Sequence, residues 1–114
     1  MTAAAPSLRD ALAQRLRDLL SSFQNVREVR MFGGLSFMVD DRMAVAAGRN
    51  GDLLVRTDPA LYGDLLKRGG EPAYMGKARP MGPGWLTVPY ERIQDSAELE
   101  YWLKVGVDSR NASN

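Results

Sequence analysis

The sequence predicts an α+β fold in two layers: an antiparallel sheet of about five strands with flanking helices, in the order α-β-β-β-β-α-β-α. Three observations lead there. A leucine stripe at helical spacing opens the chain, from Leu8 to Phe23. Short alternating apolar segments between Val26 and Arg56 are then separated by compact polar or glycine pairs, as in strands joined by hairpins. Two further helical patterns follow, with one apolar strand between them.

Each element has its own signal. Ser7 is placed to cap the first helix, with Asp10 three residues on in an acidic variant of the capping box. Leu8, Leu12, Leu16, Leu19, Leu20 and Phe23 recur at spacings of three and four and form its apolar face, while Arg9, Arg15, Arg17 and Asp18 lie off it. Val26, Val29 and Met31, separated by Arg27, Glu28 and Arg30, predict a half-buried strand starting near Arg27. Gly33-Gly34 then requires a turn or bulge, because two adjacent residues there lack a side chain. Leu35 to Val39 makes a second strand, Asp40-Asp41 a polar turn, and Arg42 to Gly48 a third strand. Asn50-Gly51 is the strongest hairpin signal and predicts a type I′ turn, with Arg49 opposite Asp52 and Ala47 opposite Leu54. The returning strand is Leu53 to Arg56.

Asp58-Pro59 places an acid at the N-cap and proline at the first position of a second helix, whose apolar face is Leu61, Leu65 and Leu66. Lys67-Arg68 suit its C-terminal end and Gly69-Gly70 stop it. Residues 71–84 read as loop, rich in proline and glycine. Trp85 to Val88 is a short strand that Pro89 ends or confines to an edge. Asp95 and Glu98 make a capping pair for a last helix carrying Leu99, Trp102 and Leu103.

Composition bounds the function. The chain has 114 residues, 45% hydrophobic and 25% charged, values of one ordinary globular domain spanning 1–114. Fifteen basic against fourteen acidic residues leave a net charge of +1, far from that of a dedicated polyanion binder. Cysteine and histidine are both absent. Disulfides, thiol chemistry and cysteine–histidine zinc sites are thereby excluded, together with the commonest general base. No signal peptide and no apolar run of membrane-spanning length occurs, so a cytoplasmic location without membrane contact is expected. The Asn111-Ala112-Ser113 sequon carries no weight without an export signal.

The run Arg30-Met31-Phe32-Gly33-Gly34, the aromatic Phe37 and the Asn50-Gly51-Asp52-Leu53 turn resemble the N-terminal domain of the TfoX/Sxy family, bacterial regulators of natural competence. So do Gly70-Glu71-Pro72-Ala73-Tyr74 and Trp85-Leu86-Thr87-Val88-Pro89. The likeness covers roughly Leu12 to Val107. It implies a small two-layer domain with an antiparallel sheet. Longer family members continue into a C-terminal helical domain; this chain ends at Asn114, so a stand-alone N-terminal domain is expected, and activities that need the second domain are not carried over.

Three groups of residues are candidates for chemistry. Gly33-Gly34 lacks the Lys-Ser/Thr pair and the following helix of a phosphate loop, which leaves a structural role in the turn. The segment holding Tyr74, Lys77, Arg79, Trp85 and Tyr90 has no acidic residue from Gly76 to Tyr90. It is either a loop packing its own aromatics or a binding patch of aromatic anchors and cations; Arg30 and Phe32 join the patch if their strand neighbours that of Trp85. Asp40, Asp41 and Asp52 gather if their turns share one sheet end, though turn aspartates usually bond their own backbone. No catalytic residue set, metal site or cofactor is expected. The leading expectation is a non-catalytic regulatory module acting through protein partners, with homodimer formation compatible. The alternatives are weak nucleic-acid binding, given that twelve of the fifteen cations are arginine, and capture of a small anion beneath the 70–84 loop.

Overall fold

A computed structural model of the chain describes residues 7–31, 34–75 and 79–109. The first helix, α1 (Leu8–Leu19), is capped as expected: the Ser7 hydroxyl oxygen accepts the Asp10 N–H at 3.0 Å. Its stripe is narrower than the sequence suggests. Leu12, Ala13, Leu16 and Leu20 are buried, but Leu8 is 47% and Phe23 39% exposed. Leu8 sits in the opening turn at the rim, and Phe23 lies beyond the last turn, where helical periodicity no longer aims it inward.

Four strands follow: β1 (Val26–Met31), β2 (Gly34–Val39), β3 (Arg42–Ala47) and β4 (Leu53–Arg56). Each pairs antiparallel with the next. The glycine expected at the first turn has a packing reason within the strand. A side chain at Gly34 would lie 2.8 Å from the Ala47 carbonyl oxygen, so β2 and β3 approach this closely only without one. Gly33 lies outside the described residues.

The two later hairpins exchange the roles assigned to them. Val39 pairs with Arg42 across Asp40-Asp41, both at positive φ (53° and 65°); this is the primed two-residue turn. At Asn50-Gly51 only the glycine takes positive φ (82°). The Gly48 N–H donates to the Asp52 carbonyl at 2.9 Å, and the Gly51 N–H donates to the Gly48 carbonyl at 3.0 Å. The loop is therefore three residues long, and the register shifts so that Ala47 faces Leu53 and Ala46 faces Leu54. A three-residue hairpin needs one left-handed residue rather than two, and Gly51 supplies it.

A 3₁₀ turn (Pro59–Leu61) leads into α2 (Tyr62–Arg68), with the Asp58 carboxylate accepting the Ala60 N–H at 3.0 Å. Leu65 is buried and Leu66 packs partly against the core, but Leu61 is 48% exposed. The tighter 3₁₀ period carries it off the face the α-helical spacing predicts. The segment read as loop contains three two-residue strands: β5 (Glu71–Pro72), β6 (Tyr74–Met75) and β7 (Arg79–Pro80). Runs this short, half proline in two cases, leave no periodicity to read. The last strand, β8 (Trp85–Val88), pairs with β4 on one side and β5 on the other. Pro89 ends it without leaving it at an edge.

The main sheet thus has six strands in the order β1-β2-β3-β4-β8-β5, beside a two-stranded β6–β7 ribbon. The closing helix, α3 (Ser96–Asp108), is capped by Asp95, which accepts N–H groups from Ala97 and Glu98. The element order expected from sequence holds, with the short strands added.

One sheet face carries the core. Leu35, Phe37, Val39, Val45, Ala47, Leu53, Val55, Leu86 and Val88 alternate onto it and are buried with Leu12 and Leu16 of α1 and Leu99, Trp102 and Leu103 of α3. Each large apolar side chain removed from water there contributes about 1.5–3 kcal/mol. Between Phe37 and Met38 the register slips by one residue and leaves Ala44 as a bulge. The bulge carbonyl lies against Gly106 of α3, so the helix meets the sheet backbone to backbone. Among the described residues no helix is long and apolar enough to cross a membrane.

Candidate interaction surface

Alternation sends every second strand residue away from the helices. By register, Arg27, Val29 and Met31 of β1, Ser36 and Met38 of β2, Met43 and Ala46 of β3, Leu54 and Arg56 of β4, and Trp85 and Thr87 of β8 share the second face. The helices α1 and α3 pack on the opposite one, over β2, β3 and β4. The small residues Ser36 and Ala46 are recessed to 1% and 6% exposure, while Val29, Met31, Met38, Met43, Leu54, Thr87 and Trp85 stay half-buried. The result is a shallow, mostly apolar, methionine-containing surface in the middle of a six-stranded sheet. Methionine adapts its flexible thioether chain to irregular partners.

A basic, aromatic corner borders this surface. The Arg56 guanidinium lies over the Trp85 ring, 5.6 Å from its centroid, within cation–π range. Arg56 and Trp85 are register partners at the β4–β8 end. The β6–β7 ribbon rises from the same end: the Trp85 N–H donates to the Gly82 carbonyl, and the Met81 N–H to that of Ala73. Thr57 anchors its base, its hydroxyl donating to the Pro83 carbonyl at 2.9 Å and its N–H bonding that of Gly84 at 2.8 Å. On the ribbon, Tyr74 faces Pro80 and is 55% exposed, and Arg79 is exposed.

The expected patch therefore comes together only in part. Tyr74, Arg79 and Trp85 belong to one end of the molecule. Tyr90 lies at the other end of β8, where its N–H donates to the Asp52 carboxylate at 2.9 Å. Arg30 is on β1, separated from β8 by β2, β3 and β4, so it does not adjoin Trp85. Phe32 and Lys77 lie outside the described residues. Arg56 is the patch residue that sequence reasoning missed; its alternation with the buried Val55 was the available signal.

The aspartates do not gather. Asp40 and Asp41 occupy the turn before β3 and Asp52 the turn after it, at opposite ends of that strand. Arg27 pairs with Asp41 at 3.4 Å and Asn25 donates to Asp40 at 3.3 Å. Among the described residues no group of three potential metal ligands is placed to hold an ion.

On the helical side one ion pair ties α1 to the sheet, and a cluster on Glu98 ties α2 to α3. Arg17 of α1 grips Glu28 of β1 through two hydrogen bonds of 2.7 and 2.8 Å, which hold the Glu28 carboxyl below its usual range and raise the Arg17 pKa. Glu98 of α3 accepts two bonds from Arg68 of α2, at 2.8 and 3.1 Å, with Arg92 at 3.5 Å and the buried Trp102 N–H at 3.4 Å. The Arg68 bonds, chiefly, depress the Glu98 pKa, and those from Trp102 and Arg92 add to it. Arg68 also stacks on Tyr101, 4.2 Å from the ring centroid. These groups fasten helices and are satisfied within the fold.

Comparison with known proteins finds a family model: the TfoX N-terminal domain matches residues 18–109. No curated protein matches the chain.

Proposed function

The chain belongs to the TfoX N-terminal domain family, and on that premise we propose that it is a non-catalytic binding module that works through protein contacts. The family is of a regulatory type rather than one of enzymes. The observation that carries the proposal is the open sheet face. All the helical packing described is on one side, and Met38, Met43, Leu54 and Trp85 are left half-buried on the other. A soluble domain rarely keeps a contiguous apolar patch without using it, and a tryptophan beside arginine is the composition of an interface anchor. The ribbon bearing Tyr74 and Arg79 forms a polar rim at the Trp85 end.

The test is partner capture from cell extract with matched variants. Thr87→Arg and Trp85→Ala alter the open face, Arg79→Glu alters the rim, and Glu100→Arg alters an exposed position in the helical layer. Loss of the same partners in the first three and retention in Glu100→Arg is the expected outcome. Retention of every partner in Thr87→Arg and Trp85→Ala rejects the open face as the contact.

Nucleic-acid binding is the second reading, favoured by the exposed Tyr74 and Arg79 on one ribbon. It ranks lower because Arg56 already lies over the Trp85 ring and competes with a base for that surface. It predicts weak anisotropy changes with labelled single- and double-stranded DNA at about 50 mM salt that collapse by about 200 mM and vanish in Arg79→Glu. No binding at the lower salt eliminates it.

A further inference from the structure

The two edges of the main sheet are not equivalent. On one side the terminal strand is β5, two residues long, and its Pro72 has no N–H to offer. Such an edge is closed to pairing. On the other side β1 runs for six residues without proline, with one row of backbone groups unpaired among the described residues.

From this edge we infer that β1 pairs antiparallel with β1 of a second copy of the chain, in the register that sets Val29 opposite itself. Symmetry and charge select that register together. A two-fold axis normal to the sheet keeps both helical layers on the same side, and it requires some residue of β1 to face its own copy. Centring on Glu28 opposes two carboxylates; centring on Arg27 or Arg30 opposes two guanidinium groups. Centring on Val29 places Glu28 opposite Arg30 of the second copy, and Arg30 opposite Glu28 of the second copy, with Arg27 facing Met31. Opposite charges directly across strands stabilise pairing and like charges oppose it.

The surroundings allow the approach. Arg30 is exposed and has no ion-pair partner among the described residues. Glu28 is already held and oriented by Arg17 on the helical face, so Arg30 of the second copy completes an Arg–Glu–Arg chain there. The helix α1 packs chiefly over β2 and β3 and reaches β1 through the Arg17 side chain. Across the dimer the two α1 helices are then separated by about four strand spacings, or about 19 Å, against a helix diameter of about 10–12 Å. The product is a continuous twelve-stranded sheet. It places Val29 and Met31 of both copies at the centre of a doubled open face.

The test is a charge swap. Wild-type protein is expected to sediment at twice its 12.6 kDa monomer mass. Arg30→Glu opposes two pairs of carboxylates, and Glu28→Arg two pairs of guanidinium groups, so each alone is expected to sediment as a folded monomer. Mixing the two variants restores complementarity at both positions and is expected to give a one-to-one heterodimer at the dimer mass. A wild-type monomer at every attainable concentration, or an Arg30→Glu dimer as tight as wild type, overturns the inference. Glu28→Arg also removes the Arg17 pair, so circular dichroism must show it folded; should it unfold, Arg30→Glu and a cysteine probe decide. The chain has no cysteine, and Val29→Cys is expected to crosslink to its own copy under oxidation or with a short bis-thiol reagent, whereas Thr87→Cys on β8 is not. Failure of Val29→Cys to crosslink counts against the register. None of these outcomes depends on which protein the open face binds.

Discussion

Replacing Gly106 by alanine tests a close contact between the two layers. In an exposed helix interior this change stabilises by about 0.5–1 kcal/mol, because alanine has less backbone freedom to lose. Here the added Cβ meets the Ala44 carbonyl oxygen at less than any normal contact distance, and lies 2.8 Å from Val45 Cγ1 and 3.0 Å from the Ala44 carbonyl carbon. The helix α3 must retreat by roughly 0.5–1 Å, which forfeits a quarter to a half of the dispersion well for contacts along that seam. Overpacking of this kind costs about 1–3 kcal/mol. After the helical gain is subtracted, the expected net loss is about 1–2 kcal/mol, or a Tm lower by about 4–8 °C for a domain of this size. Gly63→Ala in α2 is the control: nothing lies within 4 Å of its added Cβ, so it is expected to raise the Tm by a few degrees, from about 0.5–1 kcal/mol of propensity. Thermal denaturation followed by circular dichroism reads both. A Gly106→Ala protein as stable as wild type means that α3 does not rest on the β3 bulge, and the reasoning fails.

Three other outcomes follow from the same geometry. Because hydrogen bonds from arginine lower the folded-state pKa of Glu28 and Glu98 from 4.5, the stability they supply is present above the unfolded-state value and is lost as pH falls through the depressed folded values. Chemical denaturation across this acid range is expected to show that loss, and Glu98→Gln, weaker at neutral pH, should converge with wild type once the carboxyl is protonated. Asp41→Gly relieves a left-handed residue at φ 65° and is expected to stabilise by about 1 kcal/mol, with the exposed Arg27 pair at 3.4 Å as a small offsetting loss; a lower denaturation midpoint contradicts the primed-turn assignment. Asp52→Ala leaves the half-buried Tyr90 N–H without its 2.9 Å acceptor and should cost about 1–3 kcal/mol, measurable as a shift in urea midpoint without change in slope.

Much of the architecture is local and was therefore legible. Capping by Ser7, Asp58 and Asp95 depends on a side chain reaching an amide two or three residues away, and such spacings are visible in one dimension. Strand alternation likewise separates Leu53 and Val55 from Leu54 and Arg56 whatever their neighbours are. Hairpin geometry was less legible, since an Asn-Gly pair suits a two-residue turn and a three-residue loop equally well. Register is settled by which residues the core must bury: Leu53 beside Ala47, Val55 beside Val45.

The candidate surface shows the same division. Sequence alone placed Trp85, Tyr74 and Arg79 within a short span, and proximity along the chain kept them at one end of the fold. It could not rank β8 among the strands, because a strand after a helix can join either edge or insert beside a distant partner. In the folded chain β8 pairs with β4, which brings Arg56 onto Trp85 and carries Arg30 to the far edge. Composition determined that this protein has no histidine or cysteine chemistry, and periodicity determined a helical layer on a hairpin sheet. Strand order, together with the second face and β1 edge that the described residues leave uncovered, was decided only by the tertiary structure, since each depends on which residues distant in sequence share their buried area and their backbone hydrogen bonds.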